Sequence, residues 1–159
     1  MKKVVYPGTF DPITKGHMDI IKRAATLFES VIVAVAVSSE KKPMFDIETR
    51  IMMAKKAIKS YKNVEVVSFD TLLVDFCEKV DANVIIRGLR AVSDFEYELQ
   101  MGYANQSLKE DLETVYLMPS LKNAFISSSV VRTILKYGGD ISHLVPKEVL
   151  EVLEEIDRK

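Results

Sequence analysis

The sequence predicts an α/β fold built on a parallel sheet with helices on both faces. Short β-branched runs alternate along the whole chain with longer segments of helical apolar spacing. One of these runs, Val31 to Val37, is continuously apolar, as a strand covered on both faces is. The first run, Val4-Val5-Tyr6, empties into a long glycine-bearing loop that ends at a helix start, the arrangement in which α/β sheets bind ligands.

Each element follows from its own pattern. After the first strand, His17 to Phe28 carries apolar residues at Met18, Ile20, Ile21, Ala24, Ala25 and Phe28, which is helical spacing. Val31 to Val37 is the second strand. Asp46 to Lys59 reads as a helix with Asp46 as its N-cap and Thr49 three residues on. Val64 to Phe69 is a strand, Leu72 to Val80 a helix, and Asn83 to Ile86 a fourth strand running into Arg87-Gly88. Val92 to Leu108 is a longer helix and Thr114 to Met118 the fifth strand. Ser127 to Tyr137 is a helix opened by serines and closed by Gly138-Gly139. Pro146 to Ile156 is a last helix with proline in its first turn. Right-handed crossovers through this order give a Rossmann-like, doubly wound, five-stranded parallel sheet. No repeat, linker or low-complexity stretch divides it, so residues 1–159 are expected to form a single domain.

Composition narrows the function. With 48% hydrophobic and 28% charged residues, a chain of 159 residues can bury a sizeable core. The net charge of −1 argues against a protein whose main task is to grip nucleic acid or anionic lipid. No run is long and apolar enough to span a bilayer, no secretory signal is evident, and a cytoplasmic location is expected. The lone cysteine, Cys77, reads as a small buried apolar residue, and His143 as surface or capping.

The loops that leave the strand C-termini share one sheet edge, so their side chains can converge. The first loop, Tyr6-Pro7-Gly8-Thr9-Phe10-Asp11-Pro12-Ile13-Thr14-Lys15-Gly16-His17, delivers His17 to a helix N-terminus, where free N–H groups and the helix dipole favour phosphate. It matches neither a Walker A loop nor G-x-G-x-x-G. The second strand leads to Lys41 and Lys42, which face either phosphate or solvent. Arg87 follows a buried strand and needs a carboxylate or a phosphate; Asp94, Glu96 and Glu98 are the candidate carboxylates. Ser127, Ser128 and Ser129 open a helix, with Arg132 about one turn in. No metal-ligand spacing and no nucleophile elbow occur.

These residues carry a resemblance. Thr14-Lys15-Gly16-His17 resembles the (H/T)xGH signature of the nucleotidylyltransferase superfamily, and Ile126 to Arg132 resembles its ISSTxxR signature with Ser129 in place of the threonine. The Tyr6 to Pro12, Lys41 to Phe45, Ile86 to Arg90 and Asp94 to Glu98 segments are similar to those of the bacterial phosphopantetheine adenylyltransferase family. The resemblance runs the length of the chain; it departs at Lys122-Asn123-Ala124, which lacks the bulky aromatic many relatives carry near Ala124. It implies transfer of the adenylyl group of ATP to 4′-phosphopantetheine, giving dephospho-coenzyme A and pyrophosphate. His17, Lys41 and Arg90 would be catalytic. Thr9, Lys41, Lys42, Leu73, Arg87, Met101 and Asn105 would bind phosphopantetheine, with Leu72 beside the arm. Thr9, Phe10, His17, Gly88, Arg90, Glu98, Ser127, Ser128, Ser129 and Arg132 would bind ATP. Mg²⁺ as cofactor, coenzyme A as feedback inhibitor and a homohexamer are implied as well. The rival readings are a same-fold enzyme with another phosphate acceptor and a non-catalytic nucleotide or coenzyme A sensor.

Overall fold

The computed structural model describes residues 2–38, 42–90 and 92–158. Strands β1 (Lys3–Gly8), β2 (Ser30–Ala36), β3 (Val64–Phe69), β4 (Val84–Gly88) and β5 (Glu113–Leu117) form one sheet in the order β3-β2-β1-β4-β5. All neighbours are parallel. The chain therefore moves outward from β1 to β3, returns beside β1 with β4, and moves out the other way, which makes the β1/β4 boundary the switch point. The β1–β2 and β2–β3 ladders each run in register over six pairs, from Lys3–Ser30 to Gly8–Val35 and from Val31–Val64 to Ala36–Phe69. β1 meets β4 at one registered pair, Val5–Ile85.

Helices α1 (Lys15–Leu27), α2 (Ile47–Ala57), α3 (Leu73–Lys79), α4 (Val92–Leu108), α5 (Ser128–Lys136) and α6 (Lys147–Asp157) cover the sheet. The period of two splits each buried strand between two cores. Val4, Tyr6, Val31, Val33 and Ile86 face the larger core, with Ile21 and Ala24 of α1, Met53 of α2, Val131 of α5 and Val149 of α6. Val5, Ile32, Ala34 and Ile85 face the smaller one, with Val74, Phe76 and Cys77 of α3. Cys77 is buried, and burial pushes its thiol up to about 11, so it behaves as the expected apolar residue. His143 is exposed.

The expected elements are present, with shifts at their ends that matter for the site. α1 begins at Lys15, with Thr14 as N-cap, so His17 is its third residue. β4 extends through Arg87 and Gly88, which pair with Tyr116 and Leu117 of β5; Arg87 thus lies inside the strand and not after it. A short 3-10 turn, Leu121–Asn123, was not foreseen. α5 closes as its glycines predict: Gly138 has φ 74°, its N–H donates to Leu135 O, and the Gly139 N–H donates to Ile134 O. That pair of bonds is the Schellman arrangement.

Asp46 caps α2 as expected, its Oδ1 accepting the Thr49 N–H at 2.8 Å. Asp46→Ala leaves that N–H to water and is expected to lower the melting midpoint by about 2–4 °C with activity intact. A thermal melt with no shift would show that the cap is energetically idle.

Candidate active site

A cleft of about 660 Å³ opens over the C-terminal ends of β1 and β4. Four chain segments wall it, and each is fixed by hydrogen bonds that can be followed to its neighbours.

The first wall is the loop from β1 into α1. Thr14 and His17 form a reciprocal cap: the His17 N–H donates to Thr14 Oγ1 at 3.3 Å, and the Thr14 N–H donates to His17 Nδ1 at 3.0 Å. Nδ1 is therefore an acceptor, and the proton of the neutral ring sits on Nε2. The ring packs on Phe10, with centroids 4.8 Å apart, and on Tyr6 at 6.3 Å. Burial, then the charges of Arg90 and Arg87, lower the His17 pKa to about 3. At neutral pH this imidazole is an uncharged hydrogen-bond donor beside two guanidiniums.

The lowered value has a consequence for stability. Unfolded, the ring binds a proton near pH 6.5; folded and ligand-free, it does so near 3. Between these values the unfolded chain holds the extra proton. The His17 contribution is thus complete above about 6.5 and is lost as pH falls toward 3, at no more than about 1.4 kcal/mol per unit. His17→Gln is expected to shrink the loss of stability between pH 7 and 5, measured by urea unfolding, by at most about 2 kcal/mol. An unchanged loss would mean that the ring titrates as if in water.

The second wall joins this loop to the connection between β2 and α2. The buried Asp11 carboxylate accepts the Met44 N–H at 2.8 Å and the Phe45 N–H at 2.9 Å. Arg50, 2% exposed, donates to Thr9 O, Ala36 O, Val37 O and Phe45 O. Together they draw Lys42 and Pro43 into the cleft beside Thr9. Lys41, expected to be catalytic, lies outside the described residues.

The third wall is β4 and the start of α4. Arg87 grips Glu98 with two hydrogen bonds, Nε to Oε2 at 2.9 Å and Nη2 to Oε1 at 2.7 Å, and its Nη1 donates to Pro7 O at 2.9 Å. Burial works against this guanidinium's charge, but the bonds to Glu98 and its charge hold the pKa above its ordinary value. The Tyr116 hydroxyl donates to Glu98 O at 2.8 Å and fixes that turn of α4. Arg90 lies 3.5 Å from Asp94 and donates to Ile126 O at 3.4 Å.

The fourth wall is the N-terminus of α5. Ser127 Oγ accepts the Val130 N–H, so Ser127 is the capping serine. Ser128 Oγ donates to Pro12 O at 2.7 Å, and Arg132 Nη1 donates to Asp11 O at 2.8 Å. The first turns of α1 and α5 thus face the same space.

Most of the expected site residues meet here: Thr9, Phe10, His17, Lys42, Arg87, Gly88, Arg90, Glu98, Ser127, Ser128, Ser129 and Arg132 all line the cleft. Two expectations change in character. Glu98, expected on the nucleotide side, has both oxygens engaged by Arg87, and Phe10 is buried against Tyr6 and His17. Leu73, Met101 and Asn105 do not line the cleft. Leu73 opens α3 after β3, two strands from β1, and packs toward the smaller core. Met101 and Asn105 lie one and two turns beyond Glu98 on α4. Asp11 and Arg50 were missed as site-building residues. Arg50 had a signal: it shares one helical stripe with Met53, Ala54 and Ala57, all buried, so a cation stood on an apolar face.

The topology and its switch-point cleft are shared by several ligand-binding classes, and the family match selects among them: a family model described as cytidylyltransferase-like matches residues 5–134, and the chain belongs to that family. The chain is 62% identical over 151 residues to the phosphopantetheine adenylyltransferase of Campylobacter hominis, covering 95% of both chains. It is 61% identical to that of Nautilia profundicola, over 95% of this chain and 98% of the relative. Within the family it belongs with the phosphopantetheine adenylyltransferases. A crystal structure titled as a putative nicotinate-nucleotide adenylyltransferase from Vibrio parahaemolyticus superposes with a TM-score of 0.70, 20% identity, and coverage of 96% of this chain and 99% of that one, which shows the shared fold.

Proposed function

We infer that this chain transfers the adenylyl group of ATP to 4′-phosphopantetheine, forming dephospho-coenzyme A and pyrophosphate, the reaction for which its relatives at about 62% identity are named. The observation that carries the chemistry is the composition of the cleft. Two helix N-termini, a neutral His17, Lys42, Arg87, Arg90 and Arg132 surround it, while its carboxylates Asp11, Asp94 and Glu98 are each engaged by backbone N–H groups or an arginine.

Such a site suits a reaction that joins two anions and needs no base. The acceptor phosphate has a second pKa of about 6, so at pH 7 it is largely a dianion and already a nucleophile. Its oxygen attacks the α-phosphorus of ATP; the bond from that phosphorus to the bridging oxygen breaks, and the electron pair leaves on pyrophosphate. No proton has to move. What the protein supplies is alignment and charge stabilisation. His17 Nε2–H donates to the transferring phosphate. Thr9, Lys42 and Arg87 hold the acceptor phosphate, together with Lys41. Arg90, Arg132, Gly88 and the serines at the start of α5 hold the nucleotide.

Among the described residues no group of three acidic, histidine or cysteine side chains is placed to hold a metal ion. With the cleft carboxylates engaged, the donor set does not fit a resident Mg²⁺; the ion belongs to this reading as the partner of the ATP triphosphate. A homohexamer, feedback inhibition by coenzyme A and a cytoplasmic location complete the reading. Exposed Phe95, Tyr97 and Tyr103 on α4 favour assembly. Among the described residues no helix is long and apolar enough to cross a membrane.

The test is pyrophosphate release by the purified protein with ATP, Mg²⁺ and 4′-phosphopantetheine, beside a reaction with nicotinate mononucleotide. Release with phosphopantetheine alone, and dephospho-coenzyme A as product, is expected. Release with the other acceptor alone would overturn the substrate and leave the role of His17 standing.

A further inference from the structure

The nucleotide half of the cleft is fastened from outside. Asp19 lies in α1 two residues past His17, and its side chain is 8% exposed. Its Oδ2 accepts the Ser120 N–H at 2.8 Å, the Ser120 hydroxyl at 2.6 Å and Asn123 Nδ2 at 2.9 Å. Its Oδ1 accepts Arg23 Nε at 2.8 Å. Burial alone would raise the carboxyl's pKa; the donors of Asn123, Ser120 and Arg23 outweigh it and hold the group well below the usual carboxylate range.

The segment gripped in this way is the 3-10 turn at Leu121–Asn123, which runs directly into Ile126 and the Ser127 cap of α5. A second contact brings the same segment onto the first turn of α1. A Cβ on Gly16 would stand 3.0 Å from Ile126 O and 3.6 Å from Asn123 O, so any side chain there would crowd this approach. The two helix N-termini are thus laid side by side. Like dipole ends repel when no anion lies between them, and a fixed link is needed to keep them at phosphate-binding separation.

We propose that Asp19 is a positioning residue for ATP, setting through Ser120 and Asn123 the distance between His17 and the serines that open α5 without touching either substrate. This rests on the reading above that the nucleotide phosphates lie between those two helix starts.

Asp19→Asn tests it, because the amide turns one of the two acceptor oxygens into a donor facing other donors. The affinity for ATP, by calorimetry, and the KM for each substrate are compared at a temperature where circular dichroism shows every variant folded. ATP Kd and KM are expected to rise about tenfold or more, as misplaced binding groups cause, with phosphopantetheine KM within about twofold. Asn123→Ala, which removes one donor, should move ATP in the same direction by less. Arg23→Ala, which removes an exposed i,i+4 partner, should change neither substrate by more than about twofold. Equal ATP affinity in folded Asp19→Asn, or equal rises for both substrates, would overturn the proposal. If Asp19→Asn does not fold, Ser120→Ala and Asn123→Ala decide it: an unchanged ATP Kd in both would overturn it, and a selective rise would support it. A wild-type protein that binds ATP but turns over no phosphopantetheine would sink the assigned reaction and leave the ATP comparison intact.

Discussion

His17→Ala is expected to lower kcat by at least about 10²-fold, the loss that follows removal of a preorganised donor at a developing charge. The geometry makes the loss specific. Nδ1 is engaged by the Thr14 N–H, so the ring cannot turn its proton away from the cleft without breaking the cap. Burial and the nearby arginines keep the ring neutral in the free protein, so it meets ATP as a donor with a fixed direction. Alanine retains the helix and the Thr14 cap on residue 17's own N–H, so the fold should survive. Single-turnover measurement of adenylyl transfer separates chemistry from release. A fall of less than tenfold would remove His17 from the reacting centre.

Arg87→Ala is expected to have two separable effects. The first is on the acceptor: KM for phosphopantetheine rises, because the guanidinium proposed above to hold the acceptor phosphate is gone. The second is on stability. Glu98 is 8% exposed, and without Arg87 its carboxylate loses both bonds. Leaving such a group unpaired costs about 2 kcal/mol, a drop in melting midpoint of about 4–8 °C for a chain of this size. Arg87→Ala with Glu98→Ala removes both charges and should restore much of the midpoint while leaving the acceptor KM high. If the double variant recovered the acceptor KM as well, Arg87 would be a structural partner of Glu98 and nothing more. If the single variant left KM and kcat unchanged, its place on the acceptor side would be lost.

Both predictions concern residues that the sequence already marks, and the reason is local. His17 and the α5 serines sit at helix starts, where cap chemistry and phosphate chemistry use the same groups, so a short motif announces both. The central strands were readable because Val4 to Tyr6, Val31 to Val35 and Val84 to Ile86 are buried and carry unbroken apolar runs. What stayed hidden depends on contacts between distant positions. Asp11 reaches Met44 and Phe45 across more than thirty residues, and Asp19 reaches Ser120 across about a hundred. No periodicity encodes such a bond. The partner of Arg87 was among three acids on one helix, and choosing Glu98 required the turn of α4 that Tyr116 holds. The expected placement of Leu73, Met101 and Asn105 came from the family likeness alone, and none of the three lines the cleft.

The single registered pair between β1 and β4 has a consequence of its own. The neighbouring seams run to five or six pairs, so the sheet divides into two leaves, β3-β2-β1 and β4-β5, that pack along the seam with the fewest registered pairs. Beyond that pair the Arg87 side chain crosses the seam and donates to Pro7 O. Thr9 stands on one leaf and Arg90 on the other. A molecule that touches both sews the leaves together. Occupancy of the cleft and cohesion of the sheet are then the same free energy seen from two sides.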